Sequence, residues 1–100
     1  DIIISAGYNI AAPEVEQAIM QHDAVSECAV IGASDDGRGM IVKGFIVLKS
    51  GVKADDDLTK DIQQFVKNIA APYKYPRAIE YIEVLPKSAT GKLLRKELKN

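Results

Sequence analysis

Ser26-Glu27-Cys28-Ala29-Val30-Ile31-Gly32 and Ile41-Val42-Lys43-Gly44-Phe45-Ile46-Val47-Leu48 are two apolar runs joined through the polar link Asp35-Asp36-Gly37-Arg38-Gly39. Both runs favour extended structure through their β-branched residues, and the short Gly-containing link between them is a turn signal. The spacing therefore predicts two antiparallel neighbouring strands. Upstream, Ile2 to Ser5 and Tyr8 to Ile10 read as short extended pieces around Ser5-Ala6-Gly7, a hairpin-like entry closed by glycine. Pro13 then opens a helix on which Val15, Ala18, Ile19 and His22 recur on one stripe, with Glu14 and Glu16 at the positive end of its dipole. Downstream, Gly51 breaks the second run and Asp55-Asp56-Asp57 offers an N-cap. Leu58, Ile62, Phe65, Val66 and Ile69 then keep helical spacing until Pro72. Ala78 to Val84 supplies a third strand with Ile79 and Tyr81 on one face, and Leu94 and Leu98 suggest a closing helical turn. The expected fold is α+β: a small three-stranded sheet packed against two main helices, with an N-terminal β-hairpin and a short C-terminal helix.

One hundred residues with 47% hydrophobic composition suit one small domain and leave no room for a second. Lys plus Arg total 13 against 14 Asp plus Glu, a net charge of -1, so nothing favours nucleic acid or an anionic membrane globally. Any anion site must be local. Cys28 is the only cysteine, which excludes an internal disulfide and fits a small buried core residue in a reducing compartment. No apolar stretch approaches the roughly 20 residues of a bilayer crossing, and the start lacks the layout of a secretion signal. The expectation is a cytoplasmic chain. It begins at Asp1 directly in an apolar run, which suggests a piece of a longer protein.

The segment Pro86-Lys87-Ser88-Ala89-Thr90-Gly91-Lys92-Leu93-Leu94-Arg95 puts a lysine on a glycine-flexed turn. Such a loop can deliver one mobile positive charge to a phosphate, though a bare Thr-Gly-Lys triplet is also an ordinary solvated turn. It is not a nucleotide-binding P-loop: Leu93 stands at the Ser/Thr position and Pro86 where the first glycine belongs. Arg38, Lys67, Lys74, Tyr75, Arg77 and Lys92 lie outside the periodic core positions. Cations with an aromatic face suit a ligand carrying phosphates and a purine. Tyr73 and Tyr75 equally suit packing at a proline-stiffened corner. His22 has no partner at ligand spacing, no Cys/His cluster suits zinc, and Ser5 and Ser88 lack an evident base.

Taken in order, Asp1 through Ile10, Pro13-Glu14-Val15-Glu16, Asp35 through Gly39, Ala71 through Arg77 and Pro86 through Arg95 resemble the C-terminal domain of the AMP-forming acyl-CoA synthetases. The resemblance covers essentially the whole chain and is strongest to the branch acting on medium-chain fatty acids and benzoate or aminobenzoate. It implies two half-reactions. A carboxylic acid attacks the α-phosphate of Mg-ATP to give an acyl adenylate, and the thiol of coenzyme A then displaces AMP to give a thioester. The family lysine matched by Lys92 serves the first step. The turn Ser5-Ala6-Gly7-Tyr8 matches the family loop that borders the pantetheine tunnel in the second, reached by swinging the small domain as a body; Ala6, Gly7, Tyr8 and the neighbouring Asn9 are thereby implied CoA-binding positions. Arg38, Lys67 and Tyr75 match positions that hold the nucleotide end of CoA.

Asn9 stands where that branch commonly places an arginine, so one ionic contact to CoA is missing. The hinge acid and the ribose-gripping arginine of the family precede Asp1. So does the large N-terminal domain that binds most of the Mg-ATP and the acid. The implied partners are therefore that domain, the carboxylic acid and CoA. The isolated chain is expected to be inactive. Two alternatives stay open: an adenylation domain that loads a carrier-protein pantetheine, and a non-catalytic nucleotide-binding or interaction module of the same fold.

Overall fold

The computed structural model describes residues 2–37 and 39–99; Asp1, Arg38 and Asn100 lie outside them. Strand β1 (Ile2–Ser5) pairs antiparallel with β2 (Tyr8–Ala11) through the register Ser5↔Tyr8. The two-residue connection has Ala6 at φ 51 and Gly7 at φ 85, the left-handed pair whose twist matches that of the flanking strands. Helix α1 (Ala12–Met20) follows at once and buries Ala12, Val15, Ala18 and Ile19. His22 falls just past the end of this helix rather than on its stripe. Its Nδ1 accepts the Ala24 N–H at 3.1 Å and its Nε2 contacts Asp61 at 2.7 Å, so the ring clips the turn after α1 to the second helix.

The predicted strand pair is present and longer than its apolar runs. β3 (Val25–Asp35) and β4 (Gly39–Leu48) form an antiparallel ladder from Val25↔Leu48 to Asp35↔Gly39. Ala33, Ser34 and Asp35 extend the ladder beyond the core, where half-buried Ala33 and exposed Ser34 and Asp35 carry no strong apolar signal. Helix α2 (Asp56–Ile69) begins as expected on Asp55, whose Oδ1 accepts the Leu58 N–H at 2.8 Å, a cap worth about 1 kcal/mol. Ile62 and Val66 are fully buried. The helix ends at Ile69, ahead of a 3-10 turn at Pro72–Lys74.

β5 (Ala78–Tyr81) joins β4 in parallel, with α2 in the connection that a parallel pair requires. The sheet order is β3-β4-β5. β5 is shorter than the expected span to Val84. After Ile82 donates to the Ile46 carbonyl at 2.9 Å, the chain leaves the ladder so that Leu85 can reach the opposite face of the sheet. There Ala29, Ile31, Phe45 and Leu85 form a second cluster, covered by Leu93 and Leu98. The helices and hairpin cover the first face around Ile10, Ile19, Val30, Ile46 and Ile62. The C-terminal helical turn is a 3-10 turn, Arg95–Leu98. Leu94 is its N-cap rather than a partner of Leu98, and Leu93 takes the packing role instead.

Candidate functional site

Lys92 stands on a small hairpin of its own. Lys87 and Leu93 pair as an isolated antiparallel bridge, Leu94 donates to the Pro86 carbonyl at 2.9 Å, and Ser88 donates to the Lys92 carbonyl at 2.8 Å. Within the turn, Gly91 donates to the Ser88 carbonyl at 2.9 Å and Lys92 N–H donates to Ser88 Oγ at 3.1 Å. Gly91 closes the loop at φ 86, a left-handed conformation that resists any side chain. Lys92 itself is exposed. Among the described residues Lys43, Lys74, Lys87 and Arg95 each pair with a carboxylate, whereas Lys92, like exposed Lys53 and Lys60, pairs with none; of these three only Lys92 stands on a bonded glycine turn. A cation held out on a fixed backbone without an internal counter-ion is suited to an external anion.

A different face carries the hairpin and the corner before β5. Tyr8, beside Gly7, stacks on Tyr73 with centroids 3.9 Å apart. A Cβ built on Gly7 would meet nothing within 4 Å, so the turn projects freely. Lys67 Nζ lies 4.3 Å from the centroid of the Tyr75 ring and the Arg77 guanidinium carbon 4.9 Å. Tyr75 is half-buried against the main core, not the exposed plate that its position outside the apolar periodicity suggests. Tyr8 and Tyr73 are the more open aromatics, at 49% and 36% exposure. Lys74 is held by a hydrogen-bonded ion pair to Glu14, which raises its pKa. The structure thus puts Ala6 and Gly7 in the hairpin turn with Tyr8 and Asn9 opening β2 beside it, and brings Lys67 onto Tyr75. Lys92 lies apart from them, and Arg38 lies outside the described residues.

The two faces are organised by α1. Glu14 reaches Lys74, and Glu16 reaches Arg95. Residues two apart on a helix point about 200° away from each other, so the corner carrying Tyr73 and the segment carrying Lys92 are moored on opposite sides of the same helix. Beside the loop, Gly91, Leu93 and Lys87 border an open groove of about 460 Å³ with Pro13, Gln17 and Met20.

The sequence suggests for Glu16 only a favourable place at the helix dipole; it lies beyond the first turn and accepts from the Val30 N–H at 2.8 Å and from Arg95. No spacing in the sequence could have paired residues so distant. A carboxylate next to the buried Val15 on a short helix was the one available hint. Cys28 fits the core reading. Its thiol is buried, points at the Glu16 carbonyl at 3.4 Å, and has its pKa pushed up to about 12 by burial and then by the Glu16 charge. Such a thiol is unreactive at neutral pH. Among the described residues no helix is long and apolar enough to cross a membrane.

Comparison with known proteins agrees with this geometry. Residues 14–92 match the family described as the AMP-binding enzyme C-terminal domain. The chain is 52% identical to an uncharacterized acyl-CoA ligase, YtcI, of Bacillus subtilis, with 99% of this chain and 19% of that protein covered. It is also 52% identical to the human mitochondrial acyl-coenzyme A synthetase ACSM1, covering 99% of this chain and 18% of the relative. Among solved structures, an acyl-CoA synthetase of Brucella canis superposes with a TM-score of 0.96 at 38% identity, over 99% of this chain and 18% of that one. An anthranilate CoA ligase, AuaEII, solved with anthranoyl-AMP, superposes with a TM-score of 0.91 at 41% identity, over 98% of this chain and 19% of that one. The chain therefore spans less than a fifth of the length of these relatives, and with its α+β fold it belongs to the C-terminal domain family of AMP-binding enzymes, among acyl-CoA and aryl-CoA ligases.

Proposed function

We propose that this domain serves an ATP-dependent acid-CoA ligase, working with a large N-terminal domain that supplies most of the Mg-ATP site and the acid pocket. Lys92 acts in adenylation. Its ammonium bridges the carboxylate and phosphate oxygens as negative charge grows in the transition state, where a preorganised cation is worth about 3 kcal/mol. The observation that carries this reading is the exposed, unpaired Lys92 on a bonded turn.

For the second half-reaction the domain swings and presents its hairpin face. Gly7 lets the thiol arm of CoA pass without meeting a side chain, while Arg38, Lys67 and Tyr75 hold the nucleotide end. Mooring of the two faces on opposite sides of α1 supports an alternation of this kind, because a rotation that presents one face withdraws the other. Lys67 over the Tyr75 ring supports free CoA, rather than a carrier-protein arm, as acceptor. The buried free thiol suits a reducing compartment. The human relative is mitochondrial by name, so this feature does not single out the cytoplasm.

The test is Lys92→Ala in the full-length parent. Carboxylate-dependent pyrophosphate exchange should be lost, and CoA thioester formation from a presynthesised acyl adenylate should survive. Retained exchange would leave Lys92 a surface lysine and remove the basis of the reading. The isolated domain should fold and show no ATP-dependent thioester synthesis.

A further inference from the structure

We infer that Glu16 is a positioning residue for adenylation: by gripping Arg95 it fixes the direction in which the Lys92 turn points. The inference rests on the role proposed for Lys92 and adds a residue that does not touch substrate.

Internal bonds give the turn its shape. Orientation depends on how its two legs join the body of the domain. On the entering leg Lys87 pairs with Glu27 at 2.5 Å, with both side chains about 40% exposed at 40% and 41%. Open pairs of this sort constrain little. On the leaving leg, three residues past Lys92, Arg95 donates from Nε to Glu16 Oε2 at 3.1 Å and from Nη2 to Glu16 Oε1 at 2.6 Å. Here the side chains are only 19% and 14% exposed. A two-pronged guanidinium–carboxylate pair, largely removed from water, fixes angle as well as distance.

Glu16 is itself held. Its Oε2 accepts the Val30 N–H at 2.8 Å. Among the described residues β3 ends the sheet order β3-β4-β5 with no strand beyond it, so this bond satisfies a donor on the sheet's open edge. One carboxylate therefore ties together α1, β3 and the leg of the lysine turn. Leu93 in the far-face cluster keeps the leg against the sheet, but an apolar contact permits rotation that the fork does not. A catalytic group displaced by about 1 Å loses rate on the order of 10²-fold.

The experiment uses the full-length parent with Glu16→Gln and, separately, Arg95→Lys. The first keeps an oxygen for Val30 and loses the charged fork. The second leaves Glu16 on Val30 and replaces the fork by a point charge, so that if one variant fails to fold the other still decides. Pyrophosphate exchange and thioester formation from presynthesised acyl adenylate are measured on each, beside Lys92→Ala. The expected result is a fall in kcat for exchange of about 10- to 100-fold, with KM for ATP and the thioester step within about 2-fold of the parent. Exchange unchanged in the folded variants, or both half-reactions reduced equally, would overturn the inference. If Lys92→Ala abolishes exchange while the folded Glu16→Gln and Arg95→Lys variants leave it unchanged, the positioning role fails and the ligase reading stands. If Lys92→Ala leaves exchange intact, both fail.

Discussion

The ring of Tyr8 lies on the ring of Tyr73, centroids 3.9 Å apart and planes 16° from parallel. This contact joins the N-terminal hairpin to the 3-10 turn Pro72–Lys74, and Lys74 is in turn bonded to Glu14 of α1. Stacking of two aromatic rings adds about 1 kcal/mol beyond the area it covers. Tyr73→Ala should therefore lower the unfolding free energy of the domain by about 1 to 2 kcal/mol in urea titration. In the full-length parent it should slow thioester formation from a supplied acyl adenylate and leave pyrophosphate exchange alone. Equal transfer rates in variant and parent would show that the hairpin holds its place without the stack.

Ala6 occupies a left-handed conformation at φ 51 without being glycine or asparagine. That conformation costs an ordinary L-residue about 1 kcal/mol, and asparagine enters it more readily. Ala6→Asn should raise the urea midpoint by an amount equivalent to roughly 0.5 to 1 kcal/mol. A lowered midpoint would mean that the methyl group makes a contact worth more than the backbone strain. Gly7 beside it has open space where a Cβ would stand. Gly7→Ala should thus cost only the backbone term, about 1 kcal/mol, while a block to CoA transfer in the parent would appear as a separate and larger effect.

Legibility in the sequence followed the strength of local signals. The paired strands around Asp36-Gly37, the hairpin at Ala6-Gly7 and the cap at Asp55 each rest on neighbours in the chain, and each is present. The limits of β3 and β5 differ from the apolar runs because tertiary demands set them. Ser34 and Asp35 stay in the ladder though exposed, and the chain leaves it after β5 so that Leu85 can cover Ala29 and Phe45. Lys92 was visible as a cation beside a glycine. The Glu16–Arg95 pair has no such local sign, since only folding brings α1 to Arg95. For Tyr75 the sequence leaves an open ring and a packed corner residue equally possible, and the fold takes the second, turning the ring back onto the core after Pro72.

Lys67 Nζ sits 4.3 Å from the Tyr75 centroid, within the range of a cation–π contact, and the lysine itself is exposed. Lys67→Ala removes a cation from the proposed nucleotide-binding face without opening the core. In the full-length parent it should raise the apparent KM for CoA about 5- to 20-fold, the loss of one charged contact worth roughly 1 to 2 kcal/mol. KM for ATP should not change. Arg38→Ala, at a position outside the described residues, should act in the same direction. CoA dependence indistinguishable from the parent in both variants would remove this face from the CoA site.

The Cys28 thiol gives the domain an alkaline limit. Its pKa is raised from 9.0 to about 12 by burial and then by the nearby Glu16 charge. The folded state therefore keeps this proton where the unfolded chain has released it. Stability from this group is fully present below pH 9 and is lost as pH rises toward 12. Tyr81, raised mainly by burial, and Lys74, raised mainly by its bond to Glu14, shift in the same direction. All three make the native state weaker in alkali. Urea unfolding of the isolated domain at neutral pH and at pH near 10.5 should show a clear loss of stability at the higher value. Cys28→Ala should cost about 1 kcal/mol at neutral pH through lost packing and reduce the difference between the two conditions. An identical difference in the variant would place the alkaline limit on Tyr81 and Lys74 instead.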